Sequence, residues 1–473
     1  MLRKRIGLLL GPFLFLTIYL FEPFAGLNST ANAVLAVTLW MAAWWLTEAL
    51  PISATALAPI VLLPLSGGAS INQTTTAYGD KMLFLFVGGF IIAMAMQRWN
   101  LHKRIALFII AKIGTKANNI LLGFILATGL LSMWISNTAT TLMMITIASA
   151  LIAQMKETSQ HGGDRFYKPL LLAIAFSASI GGVATLVGTP TNPIFVSIAE
   201  KMNGESISFV RWMIFALPFS LIMLMVCWLI LGRVVFKAHK QEIPMGSNLI
   251  QEEYQRLGRM TQEEKAVGIV FLATAILWIT RSFILNQLIP GINDTVIAIG
   301  AAITMFIIPS KQKKGKALLT WEEAERLPWG VIILFGGGLS LAAAFQSSGL
   351  AEWLGDQLTL VSGLPLLLIL LIIALSVNFL TEVTSNVATA SIMLPVLASL
   401  ANAIGIHPYL LMVPATMAAS CAFMLPIATA PNAIAFSAGE LEMKDMVKSG
   451  IWLNLISSIL ISLLVYFLLP ALL

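Results

Sequence analysis

The sequence predicts an all-α polytopic membrane protein built as an inverted repeat. Three observations predict it. Of 473 residues, 58% are hydrophobic and 11% are charged, whereas a soluble domain carries about 25% charged residues. The apolar residues gather into runs, and about 20 such residues in a helix cross a bilayer core. A polar run, Ser136-Asn137-Thr138-Ala139-Thr140, returns in the second half as Ser385-Asn386-Val387-Ala388-Thr389, both times inside a long apolar segment. A polar cluster at bilayer depth is costly unless protein buries it or it lines a cavity that something polar visits.

The elements follow in order. Arg3-Lys4-Arg5 precedes an apolar run over 6–21. Ala31-Asn32-Ala33 has the form of a cleavage site. More apolar spans follow at once, so the run reads as a retained first helix that starts inside. Further spans are predicted over 31–46, 53–65 and 82–96, with Trp44, Trp45 and Trp99 at span ends, where interfacial aromatics belong. Residues 102–113 alternate apolar residues with Lys103, Arg104 and Lys112, which suits an amphipathic helix on the inner face.

The apolar segment 119–155 is about twice one span, with Ser136-Asn137-Thr138 near its centre. Two antiparallel half-helices meeting at the triplet, a re-entrant hairpin, fit that length. The next run, 170–199, is interrupted by Gly188-Thr189-Pro190-Thr191-Asn192-Pro193, and prolines with glycine break helical hydrogen bonding. A span over 209–235 and a solvated loop over 237–265 complete the first half. The second half adds spans over 267–284, 296–309 and 330–345, then a long run over 365–401 centred on Ser385-Asn386-Val387. After it come a run over 409–436 interrupted at Ala428-Thr429-Ala430-Pro431-Asn432, and a last span over 445–472.

Each half therefore reads as hairpin, broken helix, span. Thr189, Asn192, Ile194, Ser197 and Glu200 align with Thr429, Asn432, Ile434, Ser437 and Glu440, and Ser132 aligns with Thr381. Paired interrupted segments in matching positions point to a transporter binding site. Placing the N-terminus inside leaves Lys81, Lys201, Arg211 and Arg281 as the basic residues on the outer side. That is a strong positive-inside bias, with the halves inverted and the C-terminus outside.

The net charge of +6 follows from those loops and is no sign of a nucleic-acid partner. Cys227 and Cys421 lie in apolar spans and suit small core residues rather than a disulfide. Gly88-Gly89 and Gly336-Gly337-Gly338 suit close helix packing, since no Lys-Ser/Thr pair follows as a phosphate loop requires. His102, His161, His239 and His407 fall in loops or at ends, which disfavours a proton relay.

The hairpins and broken helices contain no lysine, arginine or histidine, and Glu382 is their one acid. Glu382 suits either a cation or proton ligand or a hydrogen-bonding brace at a hairpin tip. The segments offer hydroxyls, amides and free backbone. Such groups coordinate a small hard cation through oxygen, while half-helix N-termini bind a carboxylate. A dianion held without a basic residue needs bound cations beside it, which couples the two solutes. One such triplet alone more often joins helices than binds a ligand, and the inverted second copy reverses that preference. A membrane enzyme would need a catalytic cluster, and none stands at depth. A passive channel fits inverted hairpins less well than alternating access does.

The paired triplets, Gly188-Thr189-Pro190, Ala428-Thr429-Ala430-Pro431-Asn432 and Leu46-Thr47-Glu48-Ala49-Leu50-Pro51 resemble the divalent anion/sodium symporter family over nearly the whole chain. The resemblance implies about eleven transmembrane helices, two re-entrant hairpins, a homodimer in the inner (plasma) membrane and an elevator mechanism. It implies scaffold helices over 1–118 and 266–362, a transport domain over 119–236 and 363–473, and a cytoplasmic loop over 237–265. It implies one sodium site at Ser132, Ser136, Asn137 and the backbone of Gly188, and another at Thr381, Thr384, Asn386 and the backbone of Ala428. Substrate carboxylates would meet Ser136, Asn137, Thr138, Thr189, Ser385, Asn386, Val387 and Thr429. The implied activity is sodium-coupled uptake of a C4-dicarboxylate (succinate, malate or fumarate), with sodium as a co-transported ion and no cofactor. A sodium-independent exchanger of citrate or 2-oxoglutarate against dicarboxylate is the alternative within the family. Val387 replaces the hydroxyl that Thr138 supplies, so the second half offers the substrate one polar group fewer.

Overall fold

The described residues of this computed structural model, 2–114, 116–158, 164–204, 206–237, 246–357 and 363–471, form helices joined by short turns. The first group is α1 (Leu2–Phe21), α2 (Ser29–Thr47), α3 (Ile52–Thr55), α4 (Ala58–Ser66), α5 (Ile71–Thr76), α6 (Lys81–Arg98) and α7 (Leu101–Ile113). Then come α8 (Ala117–Ser132), α9 (Asn137–Thr158), α10 (Asp164–Gly182), α11 (Thr191–Asn203), α12 (Phe209–Leu229) and α13 (Gly246–Arg256). The middle of the chain supplies α14 (Gln262–Thr280), α15 (Asn286–Leu288), α16 (Asp294–Ile307), α17 (Trp321–Ala324), α18 (Trp329–Ser348) and α19 (Leu350–Gln357). The second repeat is α20 (Leu366–Thr381), α21 (Asn386–Ala403), α22 (Tyr409–Ala418), α23 (Ala430–Ser437) and α24 (Met443–Leu468).

Among the described residues, nine helical stretches are long and apolar enough to cross a membrane, and the chain is a multi-pass membrane protein. The shorter apolar helices include Ala117–Ser132, Phe166–Gly182, Leu366–Thr381 and Tyr409–Ala418. These are the first arms of the segments predicted to be interrupted, and each stops before a bilayer's width. Local sequence starts the long helices. Asn28 caps α2 by accepting from the Ala31 N–H at 2.7 Å, and Asp80 caps α6 through the Met82 N–H at 3.0 Å. Thr261 and Glu264 close a reciprocal box at the start of α14.

The two repeats interlock. Helix α9 of the first packs on α23 of the second, and α21 of the second packs on α11 of the first. Within each repeat the pattern recurs: α8 lies on α10 and α12, and α20 lies on α22 and α24. The glycine clusters serve the close approach that the sequence suggested. A Cβ at Gly88 would sit 2.7 Å from the Ala298 backbone of α16, and one at Gly337 would sit 2.5 Å from the Ala56 carbonyl oxygen. Cys227 and Cys421 are free and buried in the core.

Several expectations need correction. The predicted span 53–65 is two helices, because the turn at Ala56-Leu57 interrupts it before α4 begins with Pro59 in its first turn. The interruption expected from Gly188 to Pro193 opens earlier, after Gly182, and α11 already starts at Thr191. Pro193 sits in the first turn of α11, where a proline has no helical N–H to lose. The second interruption runs from the end of α22 at Ala418 to the start of α23 at Ala430, much longer than 428–432. Residues 237–265 are more than a loop: amphipathic α13 packs on α7, where Lys103 pairs with Glu253 at 3.1 Å. Trp45 and Trp99 are buried inside the protein instead of facing lipid headgroups or water. Each indole N–H finds a carbonyl inside the protein, Ile52 O at 3.1 Å and Leu318 O at 2.7 Å, which removes the need for water.

Candidate functional site

The site forms where helices stop in mid-protein. The arms of each predicted hairpin part at the triplet. Helix α8 ends at Ser132 and α9 begins at Asn137, as α20 ends at Thr381 and α21 begins at Asn386. Both asparagines occupy the first helical position, with a serine before them. The Ser136 carbonyl accepts from Thr140 N–H at 3.0 Å, and Ser385 does the same for Thr389 at 2.9 Å. Ser136 Oγ also accepts from Ala139 N–H at 3.4 Å. Two helix N-termini thus carry their positive dipole ends at the triplets.

The broken helices add two more. Their unwound strands are braced by one asparagine each. Asn192 Nδ2 donates to the carbonyls of Val183 at 3.0 Å and Thr185 at 2.7 Å, with Gly182 at 3.4 Å. Asn432 Nδ2 donates to Ala422 at 3.1 Å and Leu425 at 3.0 Å, the matching positions. Thr429 caps α23 by accepting from Asn432 N–H at 3.2 Å. The two breaks touch through Thr191 Oγ1 and Ser420 Oγ, 2.7 Å apart and buried.

Around Asn137 the structure gathers oxygen. Its side-chain oxygen lies 2.6 Å from Ser132 Oγ. With the amide turned over, Nδ2 donates to Ser132 Oγ at 2.6 Å, Ala178 O at 3.1 Å and Gly188 O at 3.3 Å. A hydroxyl and two backbone carbonyls therefore converge on one amide. The matching group in the second repeat is Thr381 Oγ1, which lies 2.7 Å from Asn386 Oδ1 and 3.0 Å from Ala419 O. Thr384 Oγ1 lies 2.6 Å from Thr389 Oγ1 and donates to Leu380 O at 2.9 Å. Ala428 N–H donates to Leu425 O at 3.2 Å in the turn before α23. Thr138 is exposed, Val387 and Thr189 are buried, and Ser136, Ser385 and Thr429 are half-buried.

No group of three His, Cys, Asp or Glu that could hold a metal occurs among the described residues. The gathered donors are neutral oxygens, which suit a hard alkali cation rather than zinc or copper. Of the two roles open to Glu382, the structure shows the hydrogen-bonding one. Its carboxylate accepts from the Phe423, Met424 and Leu425 N–H groups and from Asn454 Nδ2. One basic group reaches a break from outside the repeats: Arg3 donates to the Val383 carbonyl at 3.2 Å and to Leu46 O.

Sequence reasoning missed Thr185, Ala178, Ala419, Ser420 and Asn454. The carbonyls of Ala178 and Ala419 carry no side-chain signal at all. Asn454 did carry one, as an amide in the middle of an apolar span.

Helices broken at depth, paired by an inverted repeat and lined with neutral oxygens, define a secondary transporter. A family model described as the sodium:sulfate symporter transmembrane region matches residues 3–472, and the chain belongs to that family. It is the family that the triplets resemble. The chain is 48% identical to a protein of Staphylococcus saprophyticus named sodium-dependent dicarboxylate transporter SdcS, over 99% of this chain and 92% of that one. It is equally 48% identical to the Staphylococcus aureus protein of the same name, over 91% of its length. Among solved structures it is similar to the Alcanivorax borkumensis YdaH transporter, with a TM-score of 0.62 at 15% identity, covering 91% of this chain and 98% of that one. Neisseria gonorrhoeae MtrF matches with a TM-score of 0.55 at 13% identity, covering 85% and 83%. These two likenesses concern the fold alone.

Proposed function

We propose that the chain is a sodium-coupled symporter that takes up C4-dicarboxylates such as succinate, malate or fumarate. The observation that carries the reading is the oxygen cluster around Asn137, matched by the one around Thr381. The near-full-length similarity to proteins named sodium-dependent dicarboxylate transporters supports it. One sodium ion binds among Ser132, Asn137 and the Gly188 carbonyl, with Ser136 beside them. A second binds among Thr381, Asn386, Thr384 and the unwound backbone near Ala419 and Ala428. The dicarboxylate lies between, with its charges offset by the ions and by the N-termini of α9, α11, α21 and α23. Ser136, Thr138, Thr189, Ser385, Val387 and Thr429 flank it. Each ion neutralises a charge that no lysine, arginine or histidine in the two repeats' core segments offsets. Substrate therefore binds only to the sodium-loaded site.

The chain works as a homodimer in the plasma membrane, its N-terminus cytoplasmic and its C-terminus outside. Residues 119–236 and 363–473 move as an elevator against a scaffold of 1–118 and 266–362. The ion pairs support this layout. Lys81–Glu200, Lys201–Asp80 and Arg281–Asp294 each join residues assigned outside. Lys103–Glu253, Lys156–Glu440 and Lys168–Asp445 each join residues assigned inside.

Uptake of labelled succinate into proteoliposomes tests the proposal. Uptake should require an inward sodium gradient and no internal dicarboxylate. Equal uptake without sodium, or uptake only into vesicles preloaded with dicarboxylate, would establish exchange instead.

A further inference from the structure

Glu382 follows Thr381 as Met133 follows Ser132, so a buried carboxylate in the second repeat stands where the first has a thioether. Glu382 is 3% exposed. Its Oε1 accepts from Phe423 N–H at 2.7 Å, Met424 N–H at 2.9 Å and Asn454 Nδ2 at 2.7 Å. Its Oε2 accepts from Leu425 N–H at 3.0 Å. Three successive amides of an unwound strand turn onto one anion, the concave arrangement that backbone forms around a negative charge. That strand connects Ala419, whose carbonyl meets Thr381, to Thr429, which caps α23.

The first repeat fixes its strand without a charge. Thr185 Oγ1 donates to the Met133 carbonyl and accepts from Gly188 N–H at 3.1 Å. One hydroxyl there does the work of the Glu382 carboxylate. The repeats are alike in backbone and unlike in charge.

We infer that Glu382 is the positioning residue of the second half-site and makes the two cation sites inequivalent. It holds the strand that presents the Ala419 carbonyl to Thr381, whose hydroxyl also meets Asn386. It also gives the second half-site a carboxylate brace that the first, built on the Thr185 hydroxyl, does not have. Loosening that brace therefore weakens sodium binding at the second site and leaves the first as it is. The inference rests on the proposed sodium coupling.

Sodium titrations of uptake, and of thermal stability in detergent, test it. Glu382→Gln keeps the size, removes the charge and turns an amide donor toward N–H groups. An amide left unpaired in the interior is enough to raise the half-saturating sodium concentration about fivefold or more. Succinate KM at saturating sodium should stay within about twofold of the native value. The rise in melting temperature on adding sodium should need correspondingly more salt. A residue that merely supports the fold would lower the yield of folded protein and leave the sodium titration in place. Where Glu382→Gln does not fold, Asn454→Ser leaves the carboxylate its three backbone donors, and a smaller rise in the same direction is expected. A native sodium titration in either folded variant overturns the inference. If that occurs while Asn386→Ala still abolishes uptake, the proposed site survives and only the role of Glu382 falls. Native uptake by Asn386→Ala removes the site and this inference together.

Discussion

Four asparagines divide the labour at the breaks. Asn137 and Asn386 stand at the ends of helices facing oxygen, while Asn192 and Asn432 spend their amides on carbonyls that the broken helices leave unpaired. Their substitutions should part accordingly. Asn137→Ala and Asn386→Ala should each abolish succinate uptake with the folded protein recovered in native yield, read by size-exclusion profile beside transport. Asn192→Ala orphans buried carbonyls at about 1–3 kcal/mol each. It should lower the melting temperature by several degrees as well as the uptake. Glycine shows the same division. A Cβ at Gly182 would sit 2.5 Å from Asn137 Oδ1, so Gly182→Ala should displace that amide and eliminate uptake. Gly300 lies in the interior of α16 with nothing within 4 Å of a Cβ. Gly300→Ala should leave uptake unchanged and hold or raise the melting temperature, because a helical glycine gives up about 0.5–1 kcal/mol against alanine. At this scale the helix breaks at the triplets and beside Asn192 and Asn432 were legible, because polar side chains inside apolar runs stand out. The partners that are backbone atoms were not, since every residue offers the same carbonyl.

Among the elements, the divided helices were legible as runs too long for one span with polar residues at their centres. Their limits were not. Pro193 and Pro431 read as interruptions, yet each stands in the first turn of its helix, α11 or α23. The true openings lie upstream, where Asn192 and Asn432 reach back seven and ten residues to hold the strand. A break stabilised by a residue beyond it leaves little mark on the residues within it. Helix α13 and the buried Trp99 indole were missed for a related reason: each depends on a partner distant in sequence. The approach of α6 to α16 makes a testable case. A Cβ at Gly88 would stand 2.7 Å from the Ala298 backbone, which cannot retreat as a side chain can. Gly88→Val should destabilise the protein by about 1–3 kcal/mol, the range for overpacking. Thermal unfolding in detergent would register it.

For the whole molecule, the proposed elevator sets groups of helices moving past each other, and Lys81–Glu200 joins α6 of the scaffold to α11 of the transport domain. Cysteines at these two positions, joined by a short bis-methanethiosulfonate crosslinker, should stop uptake, with the unreacted double variant still active. Native Cys227 and Cys421 are fully buried and should not compete for the reagent. Continued transport by the joined protein would exclude relative movement at this contact. The ion pair itself is exposed enough that its loss should matter little to stability.

The sequence by itself determined the membrane class, the internal repeat with its recurring triplet and the family. Composition, span length and recurrence are properties of order along a chain, and they need no coordinates. Only the tertiary structure decided how the halves meet: α9 against α23, α21 against α11, Thr191 touching Ser420, and Glu382 tied to a strand forty residues on. The proposed cation sites, made of hydroxyls and backbone carbonyls, require separate breaks to converge, because no single segment carries enough oxygens to replace an ion's water.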